Sequence, residues 1–318
     1  IMMDGDKMGA ILSGDESNAI SYLESFHPDV KKGFEKHAAS NQTIARYGST
    51  KRAITPNRHL AISGALNDFS QTVVRHVLES EFLGRVIYAG GDDVLAMLPV
   101  ADMLPAMQRL QQAYQGHEAS HEGGVLQGLT LQNGFAMLKQ GSKHKLMRMM
   151  GTNATSSCGA IVAHHQAPLA SVLTELRRAE KRAKNEGGRD AFSITIVKRS
   201  GGALYLTAKW GEAATLLEDC IIFLRAEGTS RRAVYNTLEW LHDLPEPDSA
   251  NHTDMLASLL GYQMARQAQG VEKGSAPSLA KRLAEMASQQ ESKRLQWLEN
   301  FLSVAEFLAR ETRQGDAA

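Results

Sequence analysis

The stretch Arg85-Val86-Ile87-Tyr88-Ala89-Gly90-Gly91-Asp92-Asp93-Val94-Leu95-Ala96-Met97-Leu98 decides how this chain is read. Two apolar, β-rich runs flank a Gly-Gly pair, and glycine supplies the positive φ that tight hairpin turns require, so the segment reads as a β-hairpin. Its tip carries two adjacent acids. Two carboxylates about 4 Å apart repel by roughly 4 kcal/mol at an effective dielectric of about 20, so a site holding both usually supplies a cation. On these residues alone a magnesium-binding hairpin and a solvated turn both stand open, because Gly and Asp are also the commonest turn residues.

Upstream of the hairpin, Ile1 to Asp4 reads as a short strand ending at Gly5, with its acid at the C-terminal end, and Asp6-Lys7-Met8-Gly9 turns toward a helix. The chain opens inside what reads as a buried strand, which suggests a piece of a longer one. Residues 27–57 are rich in Lys, His, Gly, Ser and Asn with little apolar period, and read as a loop or insertion. This segment carries Lys31, Lys32, Lys36, Arg46, Lys51 and Arg52, a basic set suited to phosphates or simply to solvent. Leu60, Ile62, Leu66, Phe69, Val73, Val77 and Leu78 recur at helical spacing and lead into the hairpin.

Downstream, Ala101 to Tyr114 repeats a helical period, whereas His117 to Met150, interrupted by Gly123, Gly124 and Gly134, has no firm assignment, its basic segment Lys139 to Arg148 included. Ser156 to Ala163 reads as a strand, Leu169 to Asn185 as a helix and Phe192 to Val197 as a closing strand. This alternation predicts an α+β fold, a ferredoxin-like palm domain over residues 1–204. Lys198-Arg199-Ser200-Gly201-Gly202 marks a boundary, after which strand signals nearly stop. Residues 205–318 read as an all-α helical bundle, with apolar stripes at Leu216 to Leu224, Val234 to Leu241, Met255 to Met264 and Leu283 to Phe307. Pro245 and Pro247 break the second stripe from the third, and Gly270 to Pro277 reads as a flexible connection.

Composition excludes more than it selects. Lys plus Arg and Asp plus Glu each total 35 of 318 residues, so net charge gives no argument for nucleic acid or acidic membrane. Cys158 and Cys220 both lie in apolar runs and read as reduced core thiols, with no zinc set to be built from them. No apolar run approaches a membrane span and no signal sequence opens the chain, so a soluble cytoplasmic protein is expected.

A magnesium site for phosphoryl transfer needs hard oxygen ligands on neighbouring rigid elements. Asp4 with Asp92 and Asp93 fits, because in a palm the first strand and the hairpin are neighbours; the Gly5 carbonyl could add a ligand. Asp6 returns to that face only if the strand continues past Gly5. Lys7 could neutralise a triphosphate. In Ala183-Lys184-Asn185-Glu186-Gly187-Gly188-Arg189-Asp190 a helix ends in cations, and Lys184 and Arg189 either aim at phosphates or merely complement the helix terminus. His242-Asp243 lacks the further ligands of a phosphohydrolase, and His164-His165 either meets substrate or caps the sheet. Gly-x-Ser-x-Gly and Walker loops are absent, which excludes the usual serine-hydrolase and P-loop signatures.

Met3-Asp4-Gly5-Asp6-Lys7-Met8-Gly9, Tyr88 to Ala96 with its Gly-Gly-Asp-Asp, Ser156 to His164 followed by Pro168-Leu169, and Gly188-Arg189-Asp190 with Lys198-Arg199-Ser200-Gly201 closely resemble the large subunit of type III CRISPR effector complexes, Cmr-type branch. The resemblance covers about the first 205 residues and implies the second palm and last helical domain of that subunit, with an HD nuclease domain and a first palm upstream. It implies a nucleotidyltransferase that converts ATP into cyclic oligoadenylate second messengers when target RNA is bound, with Mg2+ (or Mn2+) as cofactor. Asp92 and Asp93 match the catalytic acids, and Asp4 matches the first-strand metal acid. Gly5 joins them as a metal ligand, while Asp6, Lys7, Gly90, Gly91, Lys184 and Arg189 are the expected nucleotide-binding set. Implied partners are the other subunits, guide RNA, target RNA and the first palm, which supplies the second nucleotide pocket and without which this chain makes little product. A stand-alone cyclase making a cyclic dinucleotide and a non-catalytic nucleotide-binding scaffold are the alternatives.

Overall fold

Met3 and Gly5 are buried while Met2 and Asp4 are only half covered, the period-2 pattern of a strand with a core face and a second face. In the computed structural model, which describes residues 1–15, 19–118, 128–199 and 201–312, that strand is the centre of the molecule. The elements run β1 (Met2–Gly5), α1 (Met8–Ser13), α2 (Pro28–Ala38), α3 (Gln42–Ser49), α4 (Pro56–Asp68), α5 (Val74–His76), β2 (Arg85–Gly90), β3 (Asp93–Met97), α6 (Val100–Gln115), β4 (Leu129–Gln132), β5 (Phe135–Gln140), β6 (Lys143–Arg148), β7 (Ser156–Val162), α7 (Leu169–Asn185), β8 (Ala191–Val197) and β9 (Ala203–Lys209). The helical part follows as α8 (Glu212–Arg225), α9 (Arg232–Leu241), α10 (Ala250–Arg266), α11 (Gly270–Ser288) and α12 (Arg294–Glu311). Ser200, Gly123 and Gly124, used in the sequence reading, lie outside the described residues.

The described residues build a six-stranded sheet in the order β2-β3-β1-β7-β8-β9. Its β7-β1-β3-β2 portion, antiparallel throughout, is the ferredoxin-like arrangement. α7 then crosses over to β8, which lies parallel to β7. Leu176, Ala179 and Ala183 form the buried stripe of α7. α6 packs on the other face through Met107, Leu110 and Tyr114. The expected α+β palm followed by a helical bundle is what the chain forms.

Several local expectations change. Residues 27–57, expected as loop or insertion, carry α2 and α3; α2 buries none of its residues, so no apolar period betrays it. Asn41 caps α3, and Thr55 with Pro56 starts α4. The helical run into the hairpin widens into π turns at Phe69–Val73 and Val77–Glu81. The unassigned stretch before β7 forms a three-stranded sheet, β4-β5-β6. Asn133 and Gly134, both at positive φ, make its first hairpin turn.

The boundary expected after residue 204 cuts through β9, whose pairing with β8 runs from Ala203 to Lys209. Strand and bundle are also stitched together: Trp297 of α12 donates its indole N–H to the Thr207 carbonyl at 3.0 Å. Gly270 to Pro277, expected as a flexible connection, forms the first turns of α11, where Pro277 packs on Gly261 of α10. Cys158 and Cys220 are free and buried, as expected. Among the described residues no helix is long and apolar enough to cross a membrane.

Candidate functional site

Register places the acids. Met2 pairs with Leu95 and Met3 with Val94; continued beyond that last pair the register brings Asp4 toward Asp93, while Asp92, in the turn, lies over Gly5. Opposed residues of an antiparallel pair share a face and consecutive residues alternate. Asp93 therefore stands with Asp4 on the α7 face, and Asp92 stands with Gly5 on the α6 face.

On the α7 face Lys184 ion-pairs with Asp4 and, at 2.7 Å, with Glu180 one turn earlier. Like charges opposed across strands are destabilising, and this ammonium supplies a counter-charge to Asp4. Burial and the neighbouring Arg189 both pull the Lys184 pKa down. Glu180 is held above the usual carboxylate range by burial, with Asp93 and Asp6 adding to the rise. Lys184, expected to face phosphates, is thus committed to the acid pair.

On the α6 face the Asp92 carboxylate lies over Gly5. A Cβ at Gly5 would fall 2.5 Å from the Tyr114 hydroxyl and 2.7 Å from Asp92 Oδ2, which is why only glycine fits there. Burial raises the Asp92 pKa and the Asp93 charge adds to it, against hydrogen bonds from its own amide and that of Gly5. Tyr114 is likewise pushed up by burial and then by Asp92 and Asp6, and its hydroxyl points to Met8 Sδ. The expected three-acid metal set of Asp4, Asp92 and Asp93 does not converge. Strand alternation separates it, and among the described residues no group of three or more His, Cys, Asp or Glu side chains could hold a metal. What the α7 face offers instead is a pair of hard carboxylates. Magnesium is commonly bound by one or two carboxylates plus substrate phosphates and water, so this donor set fits that ion.

The hairpin tip conforms to its sequence. Gly91 takes φ 63° at the first central position while Asp92 keeps a negative φ, the φ pattern of a two-residue primed turn. Gly90, expected in the nucleotide-binding set, leaves room for the exposed Tyr88 side chain, whose hydroxyl lies 2.5 Å from where a Cβ would stand.

Asp6, expected in the nucleotide-binding set, faces inward. It is 3% exposed, and its carboxylate accepts from Thr155 Oγ1 and Ser157 Oγ at 2.8 Å and from the Asp190 amide at 2.9 Å. The strand ends at Gly5, and Asp6 turns in beneath Ser157, the register partner of Asp4, where its charge is also felt by Glu180. Gly188, Arg189 and Asp190 all take positive φ, at 66°, 64° and 44°. Two consecutive non-glycine residues in that region are strained, and such turns persist where their surroundings over-determine them. Here Asp6 and Lys209, which donates to the Gly188 and Arg189 carbonyls, do so. Burial and then Asp6 raise the Asp190 pKa.

That turn holds Arg189 over a cavity of about 800 Å3 shared with Lys7, Lys51 and Arg58. Lys7, itself at φ 56°, and Arg189, both expected in the nucleotide-binding set, are exposed. Lys51 and Arg58 come from the insertion. Sequence reading gave Lys51 no site role and did not single out Arg58, whose Nη1 is buried without a hydrogen-bond partner. The HD dipeptide assembles nothing: His242 pairs with Glu299 and His252 with Asp248.

A ferredoxin-like sheet whose central strand and adjacent hairpin carry carboxylates, beside a cavity lined by Lys7, Lys51, Arg58 and Arg189 together with Asp6, Glu24 and Asp190, defines a nucleotidyltransferase-like palm. The profile of the Cas10/Cmr2 second palm domain matches residues 1–193, and the chain belongs to that family. It is 27% identical over 294 residues to the CRISPR system Cmr subunit Cmr2 of Pyrococcus furiosus, covering 89% of this chain and 27% of that protein. The Cmr2 subunit of Saccharolobus solfataricus is 33% identical over 147 residues, 46% of this chain and 13% of that one. A chain of a type III-B Cmr-β complex, solved by cryo-electron microscopy in the apo state, shares the fold. Its TM-score is 0.58 at 13% identity, over 98% of this chain and 38% of that one. The chain thus spans little more than a quarter of the Pyrococcus relative.

Proposed function

We propose that this chain is the second-palm portion of a type III CRISPR effector subunit and joins ATP molecules into cyclic oligoadenylates when the complex has bound target RNA. The observation that carries the reading is the placement of Asp4 opposite Asp93 at the end of the central strand, in a chain of the Cas10/Cmr2 palm family. In the reaction, the 3′-hydroxyl of one ATP forms a bond to the α-phosphorus of another, the bridging P–O bond breaks and pyrophosphate leaves. Asp4 and Asp93 would hold Mg2+, with the Gly5 carbonyl nearby. Bound there, the ion supplies Lewis-acid activation of the hydroxyl and charge neutralisation of the leaving group. Asp92, half-buried with a raised pKa and seated in the turn beyond the last pair of the ladder rather than within it, is the side chain we assign to take the hydroxyl proton as it leaves at the tip. Arg189 and Lys7 bind the phosphates, and Asp6 positions Arg189. Lys184, paired with Asp4 and Glu180, offsets part of the negative charge on that face in the free protein.

Partners follow as part of the same proposal: the other subunits of the complex, guide and target RNA, and a first palm that provides the second nucleotide pocket. The test is the assembled complex incubated with ATP, with and without complementary target RNA, with products identified by mass. Cyclic oligoadenylate that disappears on Asp93→Asn supports the proposal. A cyclic dinucleotide would indicate the cyclase reading, ATP binding without turnover the scaffold reading, and undiminished synthesis by Asp93→Asn would remove the catalytic assignment.

A further inference from the structure

The parallel strands β7 and β8 end away from the acids. Asp4 pairs with Ser157 at the start of β7, whereas His164-His165 follows its other end, about 20 Å off at the rise of a β-strand. There the sheet, the β8–β9 turn and helices α9 and α12 enclose a cavity of about 750 Å3.

Its walls combine three kinds of group. Aliphatic side chains of β7, β8 and α9 form the floor. The rings of His164 and His165 lie 4.2 Å apart at 39°, and Tyr235 and Phe307 add aromatic faces from the opposite helices, Phe307 capped by the Arg310 guanidinium at 4.8 Å. Lys198 and Arg199 stand at the rim, exposed. The acids that share the cavity are already engaged: Glu306 with Arg231 at 3.3 Å and Glu311 with Arg310 at 3.2 Å. Lys198 and Arg199 have no carboxylate within ion-pairing distance among the described residues. Burial, then His165 and Arg199, lower the His164 pKa, which favours the neutral ring that stacks well.

An apolar floor, flat rings at the wall and two uncommitted cations at the mouth match a planar base with an attached phosphate. Unpaired bases are bound by stacking on aromatic, histidine or arginine planes while cations track the backbone. Its volume falls within the range of sites that hold a small organic ligand. We propose that this cavity is a second nucleoside-phosphate site, separate from the palm acids, which takes the base on the His164-His165 wall and the phosphate on Lys198 and Arg199. Nothing in the proposed polymerase chemistry uses it. A free nucleotide and an unpaired residue of single-stranded RNA share the required chemistry.

Fluorescence anisotropy on the 318-residue chain, in EDTA to leave the metal-dependent site idle, tests the proposal with a labelled oligouridylate decamer, and with 5′-UMP as competitor. The double variant Lys198→Ala/Arg199→Ala should bind at least tenfold more weakly, and the slope of log affinity against log salt should fall by about 1.4 for two lost phosphate contacts on a single strand. His165→Ala should weaken binding about tenfold through lost stacking, with little change in salt slope. Displacement by UMP, lost in the double variant, identifies a free-nucleotide site; decamer binding that UMP does not displace identifies an RNA-strand site. Equal affinity of the double variant and the unaltered chain, or binding of neither probe by the unaltered chain, would overturn the proposal.

Discussion

The two faces of the ladder between β1 and the hairpin hold the same kind of residue in opposite circumstances. On the α7 face Asp4 pairs with the ammonium of Lys184, with Asp93 beside it at the start of β3. On the α6 face Asp92 lies over Gly5 beside the buried Tyr114 ring. Neighbouring aspartates in one dipeptide thus receive an exposed setting beside the Asp4–Lys184 pair and a half-buried one beside an aromatic ring, because the chain passes from turn to strand between them. In the proposed reaction the two would serve different ends, Asp93 with Asp4 to hold a cation and Asp92 to take a proton.

The sharpest way to break this contrast is to neutralise each acid in turn. Asp93→Asn should lower oligoadenylate synthesis by the assembled complex on the order of 10³-fold, the size of loss seen when a preorganised charge-stabilising group is removed. Its thermal midpoint should stay within a few degrees. Asp92→Asn should cost about 10²-fold, as for a missing general base, while nucleotide binding persists. Because burial raises the Asp92 pKa, the folded protein holds its proton above the ordinary value of 3.8, so ionisation favours unfolding as pH climbs past that point. The Asn variant should therefore melt slightly higher than the parent at neutral pH and equally below pH ~3.8; a lower midpoint at neutral pH would contradict the buried placement.

Asp6 sharpens the comparison from outside it. Two residues from Asp4, it binds neutral donors only, so Asp6→Ala should destabilise the chain by about 3 kcal/mol in chemical denaturation, leaving buried donors unpaired. Gly5→Ala should destabilise by about 2 kcal/mol through crowding against Tyr114 and Asp92. Combining it with Tyr114→Phe, which removes the nearest crowding atom, should recover part of that loss. Smallest of the three, Asp4→Ala should cost under about 1 kcal/mol, since its ion pair with Lys184 is partly solvated.

Local signals made much of this legible. Gly90-Gly91 with its apolar flanks marked the hairpin, and the period of Leu176, Ala179 and Ala183 marked α7 with both ends as observed. The amphiphilic helices of the bundle were visible for the same reason. α2 was not, because it buries nothing and so carries no period. The first hairpin of the small sheet had a signal that went unused: Asn133-Gly134 between apolar runs is the strongest short-range hairpin mark. β9 was hidden by Gly201-Gly202, which punctuates a turn within the sheet as readily as a boundary between domains. At the site, the acids could be found but not their partners. Lys184 reaches Asp4 across 180 positions, and Thr155 and Ser157 reach Asp6 across about 150, distances at which no periodicity speaks.

The most direct test of the division between the two faces is Mn2+ binding in the presence of ATP, followed by the electron paramagnetic resonance of the free ion as the chain is titrated. Asp93→Asn should weaken the nucleotide-dependent binding at least tenfold, while Asp92→Asn stays within about twofold of the parent. Loss of binding on Asp92→Asn with Asp93→Asn spared would contradict the account.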